Sequence, residues 1–266
     1  MPHLAFPTAA GAAATSTAPA ASSSTERSLA LLALVAAQGR ALSLAELSAR
    51  LALPKASTHR LCAQLQQGGW LARDTDERSF GVGPALRRLA LDALNNGVVR
   101  GLRHEVLAEL VAQVGETCNL TTLDGATVLY LDRVEAPWPW RLTLDVGAHV
   151  PLHCTASGKL FLAALPAAQR DALIGRLRLE PLTHATLTAP AALRAECELI
   201  AERGWSSDRE EFIAGLNAIA VPVRDAQHRV RAAIAVHAPS ARMSIEGAIA
   251  RVPALQAAAA RMADLL

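Results

Sequence analysis

The chain has 266 residues, 52% of them hydrophobic, and its 26 basic and 24 acidic side chains leave a net charge of only +2. This length allows one large domain or two modest ones with a sizeable core. No apolar run approaches the roughly 18 residues that a membrane-spanning helix needs, which argues against a membrane protein. The four cysteines (Cys62, Cys118, Cys154 and Cys197) are scattered without a paired spacing, which fits a reducing cytoplasm better than a disulfide scaffold.

Residues 1–24 have an unusual composition. They contain no Lys, Arg, Asp or Glu and consist mostly of Ala, Ser, Thr and Pro. A secretory signal would combine a basic start with a continuous apolar stretch, and this segment has neither. We therefore expect a disordered tail.

The segment from 25 to 88 is more basic than the rest of the chain. Its nine basic and five acidic residues give +4, so the remainder must carry −2 to reach the total of +2. Such an asymmetry arises by chance or marks a surface that meets a polyanion.

Local signals predict two helices at the start of this basic segment. Thr25 can cap a helix that runs through LALLALVAAQ to Gly39. Ser43 and Glu46 have the spacing of a capping box before a second, short helix, which ends before Pro54.

A third helix and a hairpin follow. Pro54 suits the first turn of a helix over KASTHRLCAQLQQ, which stops at Gly68 and faces the core with Leu61 and Leu65. The residues WLAR, a polar DTDER turn and SFGV are typical of a β-hairpin. Two short helices, the second one basic, and a hairpin predict a winged helix-turn-helix. The alternative is a small solvated helical bundle without a role on DNA.

The predicted DNA contacts lie at the start of the third helix and on the wing. Hydroxyls and cations at a helix start suit phosphates and base edges, and wing arginines suit phosphates. The candidate residues are Lys55, Ser57, Thr58, Arg60, Arg73 and Arg78.

From about residue 90 the predicted secondary structure changes to a mixture of helices and strands. Helical stretches (ALRRLALDAL, VVRGLRHEVLAELVAQVG) precede a hairpin of NLTTL and ATVLYLDRV around Asp124-Gly125, and WRLTLDV reads as another strand. Three helical stretches follow, then the strands GLNAIAVPV and RVRAAIAVHAP and an Ala-rich terminal helix. This order predicts an α+β domain with a mostly antiparallel sheet.

The stretch HVPLHCTASGK, residues 149–159, raises several possibilities. A phosphate loop would need Gly where the chain has His153 and Ser or Thr where it has Leu160. A nucleophile pair of His153 and Cys154 has no third member. A zinc site of His149, His153 and Cys154 lacks a usual ligand spacing.

The remaining interpretation of this stretch is a helix start that binds an anion. The backbone N–H groups of Ala156 and Ser157 would be unpaired donors at the positive end of the helix. Their small side chains let a ligand come close. Lys159 would then lie just inside the helix as a structural residue.

Four segments resemble one protein family. LSLAELSARLALPKASTHRLCAQLQQGGWLARD and RSFGVGPALRRLA resemble the winged helix-turn-helix of the IclR family of bacterial transcription regulators. VGAHVPLHCTASGKLFLA and GWSSDREEFIAGLNAIAVPV resemble two segments of the family's GAF-like effector-binding domain. The resemblance covers about residues 25–260.

The resemblance implies an effector pocket for a small carboxylate. In the family, the two residues before Gly-Lys bind the carboxylate through backbone amides, and the pocket has apolar walls with an acidic partner. Many relatives have Cys where this chain has Ala218, so the polar contacts are expected to differ. The implied pocket residues are Leu142, Val150, Ala156, Ser157, Asp208, Leu216, Asn217 and Ala218.

Two tryptophans and an arginine lie near this implied pocket in the sequence. Trp138, Trp140 and Arg141 would suit an aromatic acid. The alternative for the tryptophans is packing in the core or in a dimer.

The predicted fold class is α/β multi-domain. It combines an N-terminal all-α-plus-wing domain (a winged helix-turn-helix) with a C-terminal α+β, GAF-like effector domain that has a mostly antiparallel sheet. The predicted boundaries are 1–24 for the tail, 25–88 for the DNA-binding domain, 89–102 for a linker helix region and 103–266 for the effector-binding domain.

The predicted function is that of a cytoplasmic transcription regulator, with no enzymatic activity, cofactor or metal. Its partners are double-stranded operator DNA, expected to be palindromic, a small organic carboxylate, aromatic acids included, and further copies of the chain in a homodimer or tetramer. The alternative is a metal-binding sensor or a small-molecule enzyme built on the C-terminal domain.

Overall fold

The computed structural model of the protein describes residues 23–38, 40–74, 78–94, 97–139 and 144–265. Contacts divide the chain between Asp92 and Ala93 into two compact units. This division falls inside the predicted linker of 89–102, and the predicted domain boundaries stay a prediction. Among the described residues, no helix combines the length and apolar character needed to cross a membrane.

The first unit consists of helices and a small sheet. In chain order the elements are α1 (Ser24–Gln38), β1 (Leu42–Ser43), α2 (Leu44–Leu51), α3 (Lys55–Gln67), β2 (Leu71–Arg73), β3 (Ser79–Val82) and α4 (Pro84–Leu94), the last of which crosses the division. Strand β3 lies between β1 and β2 and pairs antiparallel with both. The predicted hairpin is formed by β2 and β3, and β1 is an additional strand that the sequence pattern did not reveal.

The turn between α2 and α3 is stabilised by local hydrogen bonds. The predicted capping box is confirmed: the Ser43 hydroxyl accepts from the Glu46 backbone N–H at 3.3 Å, and the Glu46 carboxylate accepts from the Ser43 N–H at 2.9 Å. Helix α2 ends at Ala52 in the left-handed region, with φ 51°. The Ser48 hydroxyl donates to the Leu53 carbonyl at 2.6 Å.

A compact apolar cluster determines which face of α3 is turned inward. Thr58, Leu61 and Cys62 are the buried residues of this helix. The cluster joins all three helices of the helix-turn-helix to the sheet, and its buried members are Leu31, Val35, Leu42, Leu47, Leu61, Cys62, Leu71 and Phe80.

The second unit is an α+β fold, as predicted. Its elements are α5 (Gly97–Val114), β4 (Thr117–Asp124), β5 (Thr127–Val134), β6 (His149–Pro151), α6 (Ala156–Ala164), α7 (Ala167–Ile174), α8 (Pro190–Arg203), β7 (Ser206–Arg209), β8 (Leu216–Arg224), β9 (Val230–Pro239), α9 (Ile245–Ile249) and α10 (Val252–Ala263). The strands form one sheet in the order β6-β5-β4-β9-β8-β7, with every pair antiparallel.

The sheet is covered on both faces. On β8, Ala218 and Ala220 belong to the apolar cluster that contains residues of α6 and α8. Ile219 and Val221 alternate with them, are fully buried and face the other side, where α10 packs against β8. Burial on both faces explains why β8 and β9 read as nearly continuous apolar runs.

Two details of the strand prediction were wrong. The predicted strand WRLTLDV lies partly outside the described residues, and its described part, Leu144 to Val146, is coil and turn. The sheet instead uses β6, at the beginning of the stretch for which we predicted only a helix start, and the short edge strand β7. Both strands are held by pairing with β5 and β8, a partner-dependent cause that local propensity does not reveal.

Candidate functional site

The outer face of α3 carries several exposed polar side chains. Lys55, His59 and Arg60 are exposed, and Ser57 is half-buried. His59 was not among the predicted contacts. The helical period could have found it, because Thr58, Leu61 and Cys62 occupy the inward face and leave His59 beside Arg60 on the outside.

Thr58 is a correction to the predicted DNA contacts. Its side chain is fully buried, and its hydroxyl donates to the Pro54 carbonyl at 3.2 Å, one turn earlier in the helix. The residue therefore closes the first turn of α3 and does not present a hydroxyl to the surface.

The two predicted arginines of the wing have different surroundings. The guanidinium of Arg73, at the end of β2, lies over the Phe80 ring at 4.1 Å, and its Nε donates to Gln66 Oε1 at 3.4 Å. Arg78 is exposed just before β3. The residues between them, 75–77, lie outside the described part of the chain.

The second unit contains a cavity between the sheet and the start of α6. The space open to the centres of water molecules is about 30 Å³, against the roughly 10–15 Å³ that holds one water. Apolar and polar groups share the lining, which consists of Asn119, Val128, Tyr130, Leu144, Val150, Thr155, Ala156, Ser157, Asp208, Phe212, Leu216, Ala218, Ala235 and His237.

The start of α6 presents backbone donors to this cavity. Thr155 is the N-cap, and its hydroxyl accepts from the Gly158 N–H at 3.1 Å. The Lys159 N–H continues the helix by donating to the Thr155 carbonyl at 3.0 Å. Within the described part of the chain, the N–H groups of Ala156 and Ser157 have no hydrogen-bond acceptor. They are the orphan donors that every helix start exposes, and here they line a buried cavity.

Gly158 lets this helix start pack closely against the chain that precedes it. A Cβ atom at this position would lie 2.3 Å from the Leu152 carbonyl oxygen and 2.5 Å from its Cα. Both neighbours are backbone atoms, so no side-chain rotation would relieve the contact. The Gly-Lys pair therefore serves packing, and the phosphate-loop interpretation is not needed to explain it.

Lys159 turns away from the cavity into a buried ion pair. Its ammonium group contacts the Glu211 carboxylate, and the side chains of Lys159 and Glu211 are 1% and 8% exposed. The structural role expected for Lys159 is thereby explained. The pair ties α6 to the loop that follows β7.

Asp208 brings a carboxyl group to the cavity from β7. Its Oδ1 accepts from the backbone N–H of Glu211 at 2.7 Å and of Phe212 at 3.3 Å. Burial, reinforced by the negative charge of Glu211, raises the pKa of Asp208 to about 7. The group is therefore partly protonated near neutral pH.

A second set of polar side chains lies on strands β4, β5 and β9. Asn119 Nδ2 is 2.9 Å from His237 Nδ1, and Arg133 Nη1 donates to Asn119 Oδ1 at 3.2 Å. Asn119 and His237 line the cavity. Neither was predicted, because their strands are joined only through the register of the sheet.

The predicted effector residues mostly converge on this cavity. Within the described residues, six of them line it: Val150, Ala156, Ser157, Asp208, Leu216 and Ala218. Leu142 lies outside the described residues. Further lining residues that the sequence did not suggest are Val128, Tyr130, Leu144, Thr155, Phe212 and Ala235.

Asn217 is a correction to the pocket prediction, and Trp138 follows the alternative that kept it out of the pocket. Side chains alternate along β8, so Asn217 faces away from the cavity that Ala218 lines, and its Nδ2 donates to the Met243 carbonyl at 3.0 Å. Trp138 does not line the cavity; its Nε1 donates to the Gly115 carbonyl at 2.9 Å and Arg242 lies over its ring at 5.0 Å. Trp140 and Arg141 lie outside the described residues.

The residues of the zinc and nucleophile hypotheses have separate partners. His149 Nε2 is 3.0 Å from Asp124 Oδ2, and His153 Nε2 is 3.0 Å from the Glu180 carbonyl oxygen. Burial raises the pKa of the Cys154 thiol to about 12, which disfavours a thiolate. In the ranges that the structure describes, no group of three or more His, Cys, Asp and Glu residues could hold a metal ion.

A winged helix-turn-helix joined to a unit with a buried polar cavity defines the class of DNA-binding regulators that respond to a small molecule. Comparison with known families agrees. The "IclR helix-turn-helix domain" matches residues 24–75, and the "Bacterial transcriptional regulator IclR C-terminal" domain matches residues 91–264. The chain belongs to the IclR family of bacterial transcriptional regulators.

Individual relatives match over most of their length. The "Probable transcriptional regulator SauR" of Cupriavidus necator is 41% identical over 236 residues, which cover 89% of this chain and 94% of that protein. The "Transcriptional repressor IclR" of Escherichia coli is 30% identical over 220 residues, 82% of this chain and 80% of the relative. The crystal structure of the Agobacterium tumefaciens repressor BlcR aligns with a TM-score of 0.58 at 28% identity, over 91% of this chain and 96% of that one. These relatives are regulators of transcription and not enzymes.

Proposed function

We propose that this regulator binds an operator through α3 and the wing, and that a short organic carboxylate in the cavity of the second unit controls this binding. We assign DNA binding to residues 25–88, connecting helices to 89–102 and effector binding to 103–266. We place the protein in the cytoplasm, where the chromosome lies, and propose a homodimer or tetramer on a palindromic operator, since two-fold symmetry in the protein calls for symmetry in the site.

One observation carries the carboxylate proposal. The N–H groups of Ala156 and Ser157 line the cavity at the positive end of α6, and the described structure gives them no acceptor. A carboxylate oxygen would satisfy both donors and would be stabilised by the helix dipole. The small volume supports a short acid over an aromatic one, and Trp138 stacks elsewhere.

The DNA-binding proposal is supported by the exposed face of α3. Lys55, His59 and Arg60 project from the helix that follows the tight turn, and Ser57 lies at their edge. Arg60 and His59 suit base edges, while Lys55 suits a phosphate. On the wing, Arg78 and Arg73 are the candidates for phosphate contacts.

Matched pairs of an acid and its neutral amide test the proposal that the effector is a carboxylate. Calorimetry compares pyruvate with its neutral amide, pyruvamide, and benzoate with benzamide. We expect pyruvate to bind, both amides to bind much more weakly, and benzoate to bind more weakly than pyruvate. Equal affinities for an acid and its amide would contradict an anion site at α6.

Two substitutions at one position test where the acid binds. Ser157→Asp places a competing negative charge at the helix start, so we expect it to lose acid binding and the response of operator binding to the acid. Ser157→Ala is the matched control, because it keeps the backbone N–H and should keep the acid. Operator binding without acid should persist in both. Equal loss in the two variants would show that the hydroxyl, and not the backbone, is the contact.

A further inference from the structure

The second unit contains a larger cleft, which we call the β7 cleft, between Ser207 and Arg209 of strand β7 and one face of helix α8. The space open to the centres of water molecules is about 460 Å³, within the roughly 300–1,000 Å³ of small-molecule sites. Side chains alternate along a strand, so Asp208 lines the cavity beside α6 while its two neighbours line the cleft. Strand β7 therefore separates two distinct spaces.

The α8 side of the β7 cleft is fixed by its own contacts. Glu196, Leu199 and Arg203 line the cleft, and their spacing places them on one face of the helix. Arg203 Nη2 donates to Glu196 Oε1 at 2.7 Å, and the Arg203 guanidinium lies over the Trp205 ring at 4.4 Å. This charged pair is therefore held in place before any ligand arrives.

The buried part of the lining leaves hydrogen-bonding groups unused. The side chains of Lys159 and Glu211 are 1% and 8% exposed. An ammonium group carries three donors, and within the described residues Lys159 Nζ meets one acceptor, Glu211 Oε1. Glu211 Oε2 is buried and has no hydrogen-bond partner among the same residues. Since such groups are costly to leave unsatisfied, this part of the cleft favours a ligand group that both donates and accepts, as a hydroxyl does.

The charges of the β7 cleft favour a ligand with a single negative charge. Three cations (Lys159, Arg203 and Arg209) and two carboxylates (Glu196 and Glu211) give the described lining a charge of +1. The Arg209 side chain is exposed and, in the part of the chain that the structure describes, has no hydrogen-bond or ion-pair partner. A guanidinium binds a carboxylate through two parallel hydrogen bonds, so a carboxylate suits Arg209.

The rest of the β7 cleft has an apolar wall. Leu187 is half-buried, and Leu199 is 52% exposed. The Thr186 hydroxyl donates to the Glu211 carbonyl at 2.6 Å, which holds the loop that carries Leu187. A carbon skeleton that covers these leucines would remove apolar surface from water.

We propose that the β7 cleft is a second small-molecule site and that its ligand is a polyhydroxylated monocarboxylate, a sugar acid. Its carboxylate pairs with Arg209, and its hydroxyl groups bridge Lys159 and Glu211. The C–H groups of its carbon chain cover Leu199. This site does not depend on the short acid proposed for the cavity, whose open space of about 30 Å³ is too small for a sugar acid.

Calorimetry on the full chain tests the class of ligand. It compares three sugar acids (D-gluconate, D-galactonate and D-glucuronate) with D-sorbitol, which has the hydroxyls without the charge, and hexanoate, which has the charge without the hydroxyls. We expect at least one sugar acid to bind about tenfold or more tightly than both analogues, because each analogue leaves some of the polar groups unmatched. If no sugar acid binds, or if hexanoate binds equally well, the proposal is overturned.

Two pairs of variants at exposed positions assign the binding to the β7 cleft. Arg209→Gln should weaken sugar-acid binding by about tenfold or more, whereas Arg176→Gln, which changes an exposed arginine outside the lining, should not. Leu199→Glu brings a negative charge to the cleft and should weaken binding more than Leu199→Gln, which is of the same size. Wild-type affinity in Arg209→Gln, or equal affinities in the two Leu199 variants, would contradict a sugar acid in this cleft.

Ser157→Asp separates the cleft from the cavity. It should abolish binding of the short acid and leave the affinity for the sugar acid at the wild-type value. Loss of sugar-acid binding in Ser157→Asp would place the sugar acid in the cavity and overturn the second site. If pyruvate does not bind wild type while sugar-acid binding depends on Arg209, the short-acid proposal fails and the β7 cleft stands.

Discussion

The two units of this regulator present their binding groups in opposite ways. The first unit offers exposed side chains on a helix whose inner face is already packed, so the contacts of Lys55 and Arg60 lie outside the core. The second unit offers backbone N–H groups and buried side chains, and its cavity borders groups that hold the fold together, such as Gly158 and Asp208. Recognition and stability are therefore separable in the first unit and coupled in the second.

The two units also differ in how strongly solvent and salt weaken the interactions of their binding groups. Exposed charges are screened by salt within about 10 Å at 0.1 M, and phosphate contacts weaken further as counterions compete. Buried groups that line the cavity are screened much less, and each of them must find a partner because desolvation is costly. We therefore expect DNA binding to depend on ionic strength and effector binding to depend on proton uptake and on the exact set of donors.

The chain contains two lysines, one in each unit, and they provide the most direct test. Lys159→Met leaves the Glu211 carboxylate buried without its cation, which should lower the free energy of unfolding by about 3–5 kcal/mol. Lys55→Met removes an exposed charge and should leave stability unchanged while weakening DNA binding.

Chemical denaturation and fluorescence anisotropy on an operator fragment measure both effects. The comparison fails if Lys55→Met destabilises as much as Lys159→Met. A Lys159→Met protein of wild-type stability would mean that the ion pair contributes nothing to the second unit.

Asp208 gives the second unit a stability that depends on pH between about 4 and 7. Its pKa is raised by burial to about 7 from an ordinary value of 3.8, so the folded state binds the proton more tightly than the unfolded state. Stability should therefore fall as pH rises from about 4 to 7. Each pKa unit corresponds to about 1.4 kcal/mol, so the total loss is a few kcal/mol.

Asp208→Asn should remove this loss. The amide oxygen can still accept from the Glu211 and Phe212 N–H groups, and no charge has to be buried. Denaturation at pH 5 and pH 8 should show the variant more stable than wild type only at the higher pH. Asp92→Asn, on the exposed surface of α4, is the matched control and should keep the wild-type profile. A variant without a stability gain at pH 8 would place the titration elsewhere.

Arg60 tests the opposite arrangement, in which recognition is independent of the fold. Arg60→Ala should weaken operator binding by roughly 1–3 kcal/mol and relax the preference at specific base pairs, with Ser57→Ala giving a smaller loss of the same kind. Thr58→Val is the control, since Thr58 is buried and bonded to Pro54, and it should not change base preference. Binding to a panel of single-base operator variants measures this. Wild-type preferences in both Arg60→Ala and Ser57→Ala would show that α3 is not the reading helix.

The same contrast explains what the sequence could predict. Helix starts are determined within a few residues, so Ser43, Glu46 and Pro54 located the helix-turn-helix correctly. The donors at Ala156 and Ser157 were equally local, since Thr155 caps the helix three residues before Gly158.

The polar side of the cavity could not be predicted in this way. Asn119 and His237 are separated by 118 positions, and only the pairing of β4 with β9 brings them together. The error at Asn217 could have been avoided from the sequence, because successive residues of a strand face opposite sides of the sheet and Ala218 was already assigned to the pocket. The buried Thr58 likewise follows from the helical period.

The wing arginines carry the smallest expected effect and separate phosphate contacts from base reading. Arg78 is exposed, and Arg73 lies over Phe80 and donates to Gln66, so its guanidinium is held in place on the surface of β2. A cation that contacts a phosphate contributes to all sequences alike. Arg78→Ala should therefore weaken binding to specific and to non-specific DNA by the same factor and lower the slope of log affinity against log salt by about one unit.

Arg73→Ala should have the same effect on DNA binding. The variant also loses the contact of Arg73 with Phe80, so its stability should be measured in parallel. Anisotropy titrations at several salt concentrations, on operator and on unrelated DNA, distinguish phosphate contacts from base contacts. A loss confined to the operator would assign the arginine to base reading and would make the wing, as well as α3, a source of specificity.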